Sequence, residues 1–106
     1  MQPETSVYSL AQMVEYAQDS VVSRTVIDKP AGTITLFAFD KGQKLSEHQA
    51  PYDAVVEVLD GSAEILIAQK PYILTAGSMI IMPANIPHAV NAIEKFKMQL
   101  IMIRQK

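Results

Sequence analysis

Everything after Ser20 is cut into short pieces by turn-forming residues, and those pieces are rich in β-branched and aromatic side chains. Residues 21–28 and 33–40 flank Lys29-Pro30-Ala31-Gly32, which reads as a hairpin connection. A polar loop is expected over residues 41–47, then a strand over 52–59 that stops at the tight-turn signal Asp60-Gly61. Ala63, Ile65 and Ile67 alternate with Glu64 and Leu66, and Ala76-Gly77 precedes the apolar run Met79–Met82. The turn-rich Pro83-Ala84-Asn85-Ile86-Pro87 leads into a strand over 88–93. The last segment carries Phe96, Met98, Leu100 and Met102 on one face and Lys97, Gln99, Ile101 and Ile103 on the other, and the pattern leaves open which set faces inward. About eight short strands with this punctuation predict an all-β sandwich or barrel of jelly-roll type. Closing such a sheet also removes edges that invite aggregation.

Only the first twenty residues read otherwise. Leu10, Met13, Val14 and Ala17 fall at the spacing of one helix face, and Ser9 and Gln12 stand at capping-box distance. The expectation is a short N-terminal helix of about two turns within residues 1–20, leaning on a β-barrel formed by residues 21–106. With 106 residues in all, the chain has enough material for one core and one domain.

Composition removes several kinds of chemistry. There is no cysteine, hence no disulfide, thiol nucleophile or zinc–thiolate site. The net charge of −2 gives no electrostatic reason to bind nucleic acid. No apolar run approaches a membrane span, and Glu4 stands where a signal peptide carries positive charge. A cytoplasmic protein is therefore expected. Any imidazole chemistry falls to two residues, His48 and His88.

Those two histidines stand in recognisable surroundings. His48 follows Gly42 by six residues and precedes Gly61 by thirteen, while His88 follows Gly77 by eleven and Pro83 by five. The stretches GQKLSEHQAPYDAVVEVLDG and GSMIIMPANIPHAVNA resemble the two motifs of the cupin superfamily, in the right order and with a short segment between them. The resemblance implies a single-domain cupin jelly roll of the RmlC-like, conserved-barrel kind. In metal-binding cupins two histidines and a glutamate of the first motif join the histidine of the second as ligands. Here the second histidine position is Ala50, the glutamate position is Ala54, the second motif's second glycine is Asn85, and its final asparagine position is Ala92. Two of four implied ligands remain, His48 and His88.

Strand periodicity puts His48, Ala50, Tyr52 and Ala54 on one face, expected to be the barrel interior. Glu47, Gln49, Asp53 and Glu57 have the opposite parity. His48, Ala50, Tyr52, Ala54 and His88 are thus the expected ligand-binding residues, with His48 and His88 also the candidate catalytic and metal-ligating pair. Two neutral nitrogens fall short of the three protein ligands usual in catalytic zinc sites. Two readings stay open: a weakly held divalent ion (Zn, Ni, Fe or Mn), or metal-free acid–base chemistry of the isomerase type, for which imidazole suffices. Met79, Met82, Met98 and Met102 read as core filler rather than thioether ligands. Lys97 would meet an anionic substrate only if its face turned inward. The function expected is the binding of a small molecule in the barrel; the alternative is a non-catalytic sensing or structural cupin without metal. A homodimer is expected from the resemblance, with residues 21–28 the candidate for strand exchange.

Overall fold

Pro30 and Ala31 reverse the chain between β1 (Val21–Lys29) and β2 (Gly32–Phe39), whose residues pair from Lys29↔Gly32 back to Val21↔Phe39. The computed structural model describes residues 5–104; Glu4 and Lys106 lie outside them. Six further strands follow: β3 (Lys44–His48), β4 (Asp53–Ile67), β5 (Lys70–Thr75), β6 (Met79–Met82), β7 (His88–Asn91) and β8 (Phe96–Ile103). All pairings are antiparallel, in the order β1-β2-β8-β4-β7-β3, with β5 and β6 each added against β4. The sheet curls on itself as a jelly roll.

β4 makes the curl. Its first half pairs with β8 and β6, and its second half with β7 and β5. The Asp60-Gly61 signal does not end a strand as expected. The chain runs straight through it as one 15-residue strand, with a bulge between Val58 and Asp60 and Gly61 at φ 77°. The left-handed conformation that the glycine permits is used to bend the strand from one half of the sheet to the other. The bulge also shifts parity. Val56 and Val58 before it and Ala63 and Ile65 after it all point into the core, although the step from Val58 to Ala63 is an odd number of positions.

Two other expectations change. Part of the loop expected over 41–47 is strand, because Lys44 and Leu45 find partners in Asn91 and Val90. The N-terminal helix shrinks to one 3₁₀ turn, Leu10–Gln12, and Ser9 makes no side-chain cap. Its carbonyls are taken by side chains of the sheet: Arg24 Nη1 donates to Met13 O at 3.2 Å, and Lys97 Nζ donates to Ala11 O. A carbonyl held this way has no need of an amide four residues on. Apolar contacts hold the segment down as well. Val14 is buried with Leu36 and Ala38, and Leu10, Met13 and Tyr16 pack around them. Tyr16 Oη donates to Asp60 at 2.5 Å, with Lys95 and Lys97 over its ring.

These contacts settle the two faces of β8. Phe96 and Met98 are buried inside, and Lys97 lies outside against Tyr16. Phe39 and Phe96 stack at 4.5 Å between centroids, filling one end of the barrel with Val58, Ala63 and Ile65. Among the described residues no helix is long and apolar enough to cross a membrane.

A side chain on Gly61 would meet Lys95 O at 2.1 Å in a backbone conformation that L-residues resist. Gly61→Ala is expected to cost about 2 kcal/mol or more and to lower Tm by about 8 °C or more, measured by thermal unfolding. An unchanged Tm would mean that the bend in β4 is not constrained at this residue.

Candidate functional site

His48 and His88 are register partners across β3 and β7, so both rings leave the sheet on the same side. A slip in register between Leu45 and His48 makes this possible. On a regular strand, Leu45 and His48, three residues apart, would face opposite sides; here both line the same cavity. The rings stand edge to face at 72°, with centroids 4.3 Å apart and Nε2 of His88 3.1 Å from Nε2 of His48.

The backbone fixes one of the two protons. His48 Nδ1 lies 2.7 Å from Ser46 O, and a carbonyl can only accept, so Nδ1 carries the hydrogen. In the neutral ring, Nε2 of His48 is then an acceptor, and His88 donates its Nε2–H to it across 3.1 Å. His88 Nδ1 faces Ile86 O at the longer distance of 3.3 Å. That carbonyl provides a second place for the His88 proton. Once it moves there, both Nε2 lone pairs are free toward the cavity.

The cavity measures ≈ 90 Å³ and is lined by Leu45, His48, Ala50, Tyr52, Ala54, Met82, His88, Val90, Met98, Leu100 and Met102. His48, Ala50, Tyr52, Ala54 and His88 therefore share one wall system, although residues 49–52 are not strand. The sequence reading missed Leu45 because only the bulge turns it inward. It also missed Met82, Met98 and Met102, whose neighbours identify them: Ala54 pairs with Met82 on one side and Met102 on the other. Two alanine methyls leave space that three flexible thioether side chains border. Met79 points out of the barrel. The carboxylates stay outside as their parity requires: Asp53 accepts from the Ala84 amide, and Glu57 accepts from Gln99. Asn85, at the glycine position of the second motif, has φ 65°, a region that asparagine tolerates better than most residues. Its amide donates to Ala50 O at 2.7 Å, tying the loop before β7 to the cavity wall.

The donor set fits a metal ion in part. Two nitrogens 3.1 Å apart, each about 2.0–2.1 Å from an ion, would subtend about 100° and occupy two adjacent positions. The carbonyls behind Nδ1 are the outer partners that ligating histidines usually have. Ala50 and Ala54 contribute nothing, and no group of three or more His, Cys, Asp or Glu side chains suited to a metal occurs among the described residues.

Comparisons with other proteins agree with this architecture. The sequence profile of the cupin domain matches residues 35–104. A conserved protein of unknown function from Streptococcus pyogenes is 41% identical, over 99% of this chain and 92% of its own, with a TM-score of 0.93. A cupin 2 conserved barrel domain protein from Leptotrichia buccalis is 44% identical over 92% of this chain, with a TM-score of 0.90. The matched part is 47% of that chain, so this protein spans about half its length. Salicylate 1,2-dioxygenase from Pseudoaminobacter salicylatoxidans shares the fold alone, at 13% identity and a TM-score of 0.73 over 78% of this chain and 25% of that one. No curated protein matches the sequence.

His88 is 7% exposed, and burial, followed by the nearby His48, holds its pKa below the ordinary 6.5, against a smaller upward pull from Ile86 O. A lowered folded pKa means that the unfolded chain takes up the proton first. Stability should therefore fall as pH drops through 6.5 and level off once the folded imidazole also protonates. Urea unfolding between about pH 7.5 and 5.5 should show a steeper loss for the wild type than for His88→Gln. Equal slopes would show that His88 does not contribute this proton linkage.

Proposed function

The chain belongs to the cupin domain family, and on that footing we propose that its barrel binds a small organic ligand with His48 and His88 as the polar anchor. The observation that carries this reading is the 3.1 Å approach of two imidazole Nε2 atoms at the wall of an otherwise apolar cavity. A few convergent polar groups in an apolar pocket are what orient a small ligand. The ≈ 90 Å³ of space is well below the roughly 300 Å³ at which drug-sized pockets begin, so the ligand is a compact molecule and not a nucleotide or an oligosaccharide. Its apolar part would lie against Met82, Met98 and Leu100, and its polar part against the two rings. With the His88 proton on Nδ1, facing Ile86 O, His48 Nε2 is free to accept a proton from such a ligand. That arrangement supports acid–base chemistry by imidazole without a further group.

Methionine methyl NMR provides the test. Small apolar acids and enols should shift the methyl signals of Met82, Met98 and Met102 and leave that of the outward Met79 unmoved. His48→Ala should weaken such hits about tenfold, the loss expected for one hydrogen-bonded anchor. Shifts confined to Met79, or equal affinity in His48→Ala, would overturn the reading.

A second reading rests on the carbonyls behind both Nδ1 atoms. They suit His48 and His88 to two adjacent positions on a divalent ion, the others falling to water or a chelating ligand. When bound, such an ion would act as a Lewis acid on the ligand. With two protein donors, untagged protein should contain well under one equivalent of Zn, Ni, Fe or Mn and take up more on titration. The uptake should vanish in His88→Ala; no uptake at millimolar metal would remove this reading.

A further inference from the structure

Every side chain that could hold an ion in the cavity is uncharged. Its polar side chains are His48, His88 and Tyr52, and among the described residues no carboxylate, lysine or arginine lines it. A divalent ion there would keep both of its charges inside an apolar wall, and the cost of burying an ion grows with the square of its charge. A monovalent ion of equal size costs roughly a quarter as much. The two nitrogens impose a second condition. With the Nδ1 protons on the carbonyls of Ser46 and Ile86, both Nε2 lone pairs face the cavity 3.1 Å apart. An ion shared by both sits at the apex of a bent angle, and its remaining positions open away from the rings.

β4 brings sulfur to that side. Ile67, six residues past Gly61, pairs with His88, and Ala54, seven residues before Gly61, pairs with Met82 and Met102. The two arms of the bent strand thus carry the imidazole row and the methionine row to about the same depth of the barrel, and both rows line one cavity of ≈ 90 Å³. Met82 and Met102 flank the methyl of Ala54, so thioethers border the space where the first motif has its glutamate. Met98 pairs with Val58, nearer the bend. Thioether sulfur is a soft, neutral donor that selects cuprous copper over harder ions, and three rotatable bonds let methionine bring it to an ion.

Resting on the reading that His48 and His88 hold an ion, we propose that the cavity is a site for Cu(I), bound by Nε2 of His48 and His88 and by the sulfurs of Met82 and Met102. The two methionines come from β6 and β8, and neither occupies a ligand position of the two motifs.

Anaerobic titration of the untagged full chain with Cu(I), against a chromophoric cuprous chelator, tests it. The wild type should take up one equivalent and hold Cu(I) more tightly than Zn(II). Ag(I), a redox-inert probe of the same softness, should shift the methyl signals of Met82 and Met102 and leave that of Met79 unmoved. Met82→Leu and Met102→Leu nearly conserve volume, so both should fold as the wild type by circular dichroism. Each should weaken Cu(I) at least about tenfold, no less than losing an outer partner of a metal site costs, and leave Zn(II) uptake unchanged. Unchanged Cu(I) affinity in both leucine variants would overturn the proposal and leave the ion to the imidazoles alone. Zn(II) held more tightly than Cu(I) would overturn it while the divalent reading stands, and no uptake of either ion would remove both.

Discussion

One bent strand holds this molecule together. β4 supplies hydrogen-bonding partners to β5, β6, β7 and β8, and its bulge beside Gly61 lets one segment serve both halves of the barrel. Everything else is arranged around that bend. The stacked Phe39 and Phe96 fill the end of the barrel nearest to it, since Gly61 pairs with Phe96. The cavity opens toward the other end of β4, where Ala54 pairs with Met82 and Met102. A barrel this small fills with side chains unless some are short, and the alanines at 50 and 54 are short.

The site depends on a second, smaller irregularity of the same kind. Without the bulge between Leu45 and His48, one of the two would point to solvent and the cavity would lose either an apolar wall or an imidazole. The cross-strand register then does the remaining work. It sets His48 beside His88, and the carbonyls of Ser46 and Ile86, each two residues before a histidine, orient the rings. The pair is built where two strands whose histidines are 40 residues apart in sequence lie side by side.

The sequence disclosed much of this because β-structure alternates visibly. Most strand positions and the Pro30-Ala31 turn follow from parity and turn chemistry, whereas Ala50 and Tyr52 line the cavity from a stretch that is not strand. Bulges are what parity cannot reveal. Asp60-Gly61 announces a left-handed residue but not whether the chain reverses there or merely bends, and Leu45 reads as part of a polar loop until its register with Val90 is known. The N-terminal helix failed for a different reason. Its pattern of Leu10, Met13 and Val14 is genuine and buries an apolar face, yet Arg24 and Lys97 reach its carbonyls from the sheet, and those contacts displace the helical ladder. Asn85 is the converse case, a departure from the glycine of the motif that keeps the backbone conformation the glycine would have supplied.

The alternation along β8 carries a consequence of its own. Leu100 and Met102 border the cavity, while Ile101 and Ile103 between and beyond them stand on the opposite surface. Inside and outside are therefore read from consecutive peptide units of one backbone. A single layer of polypeptide separates the cavity from the outer isoleucines.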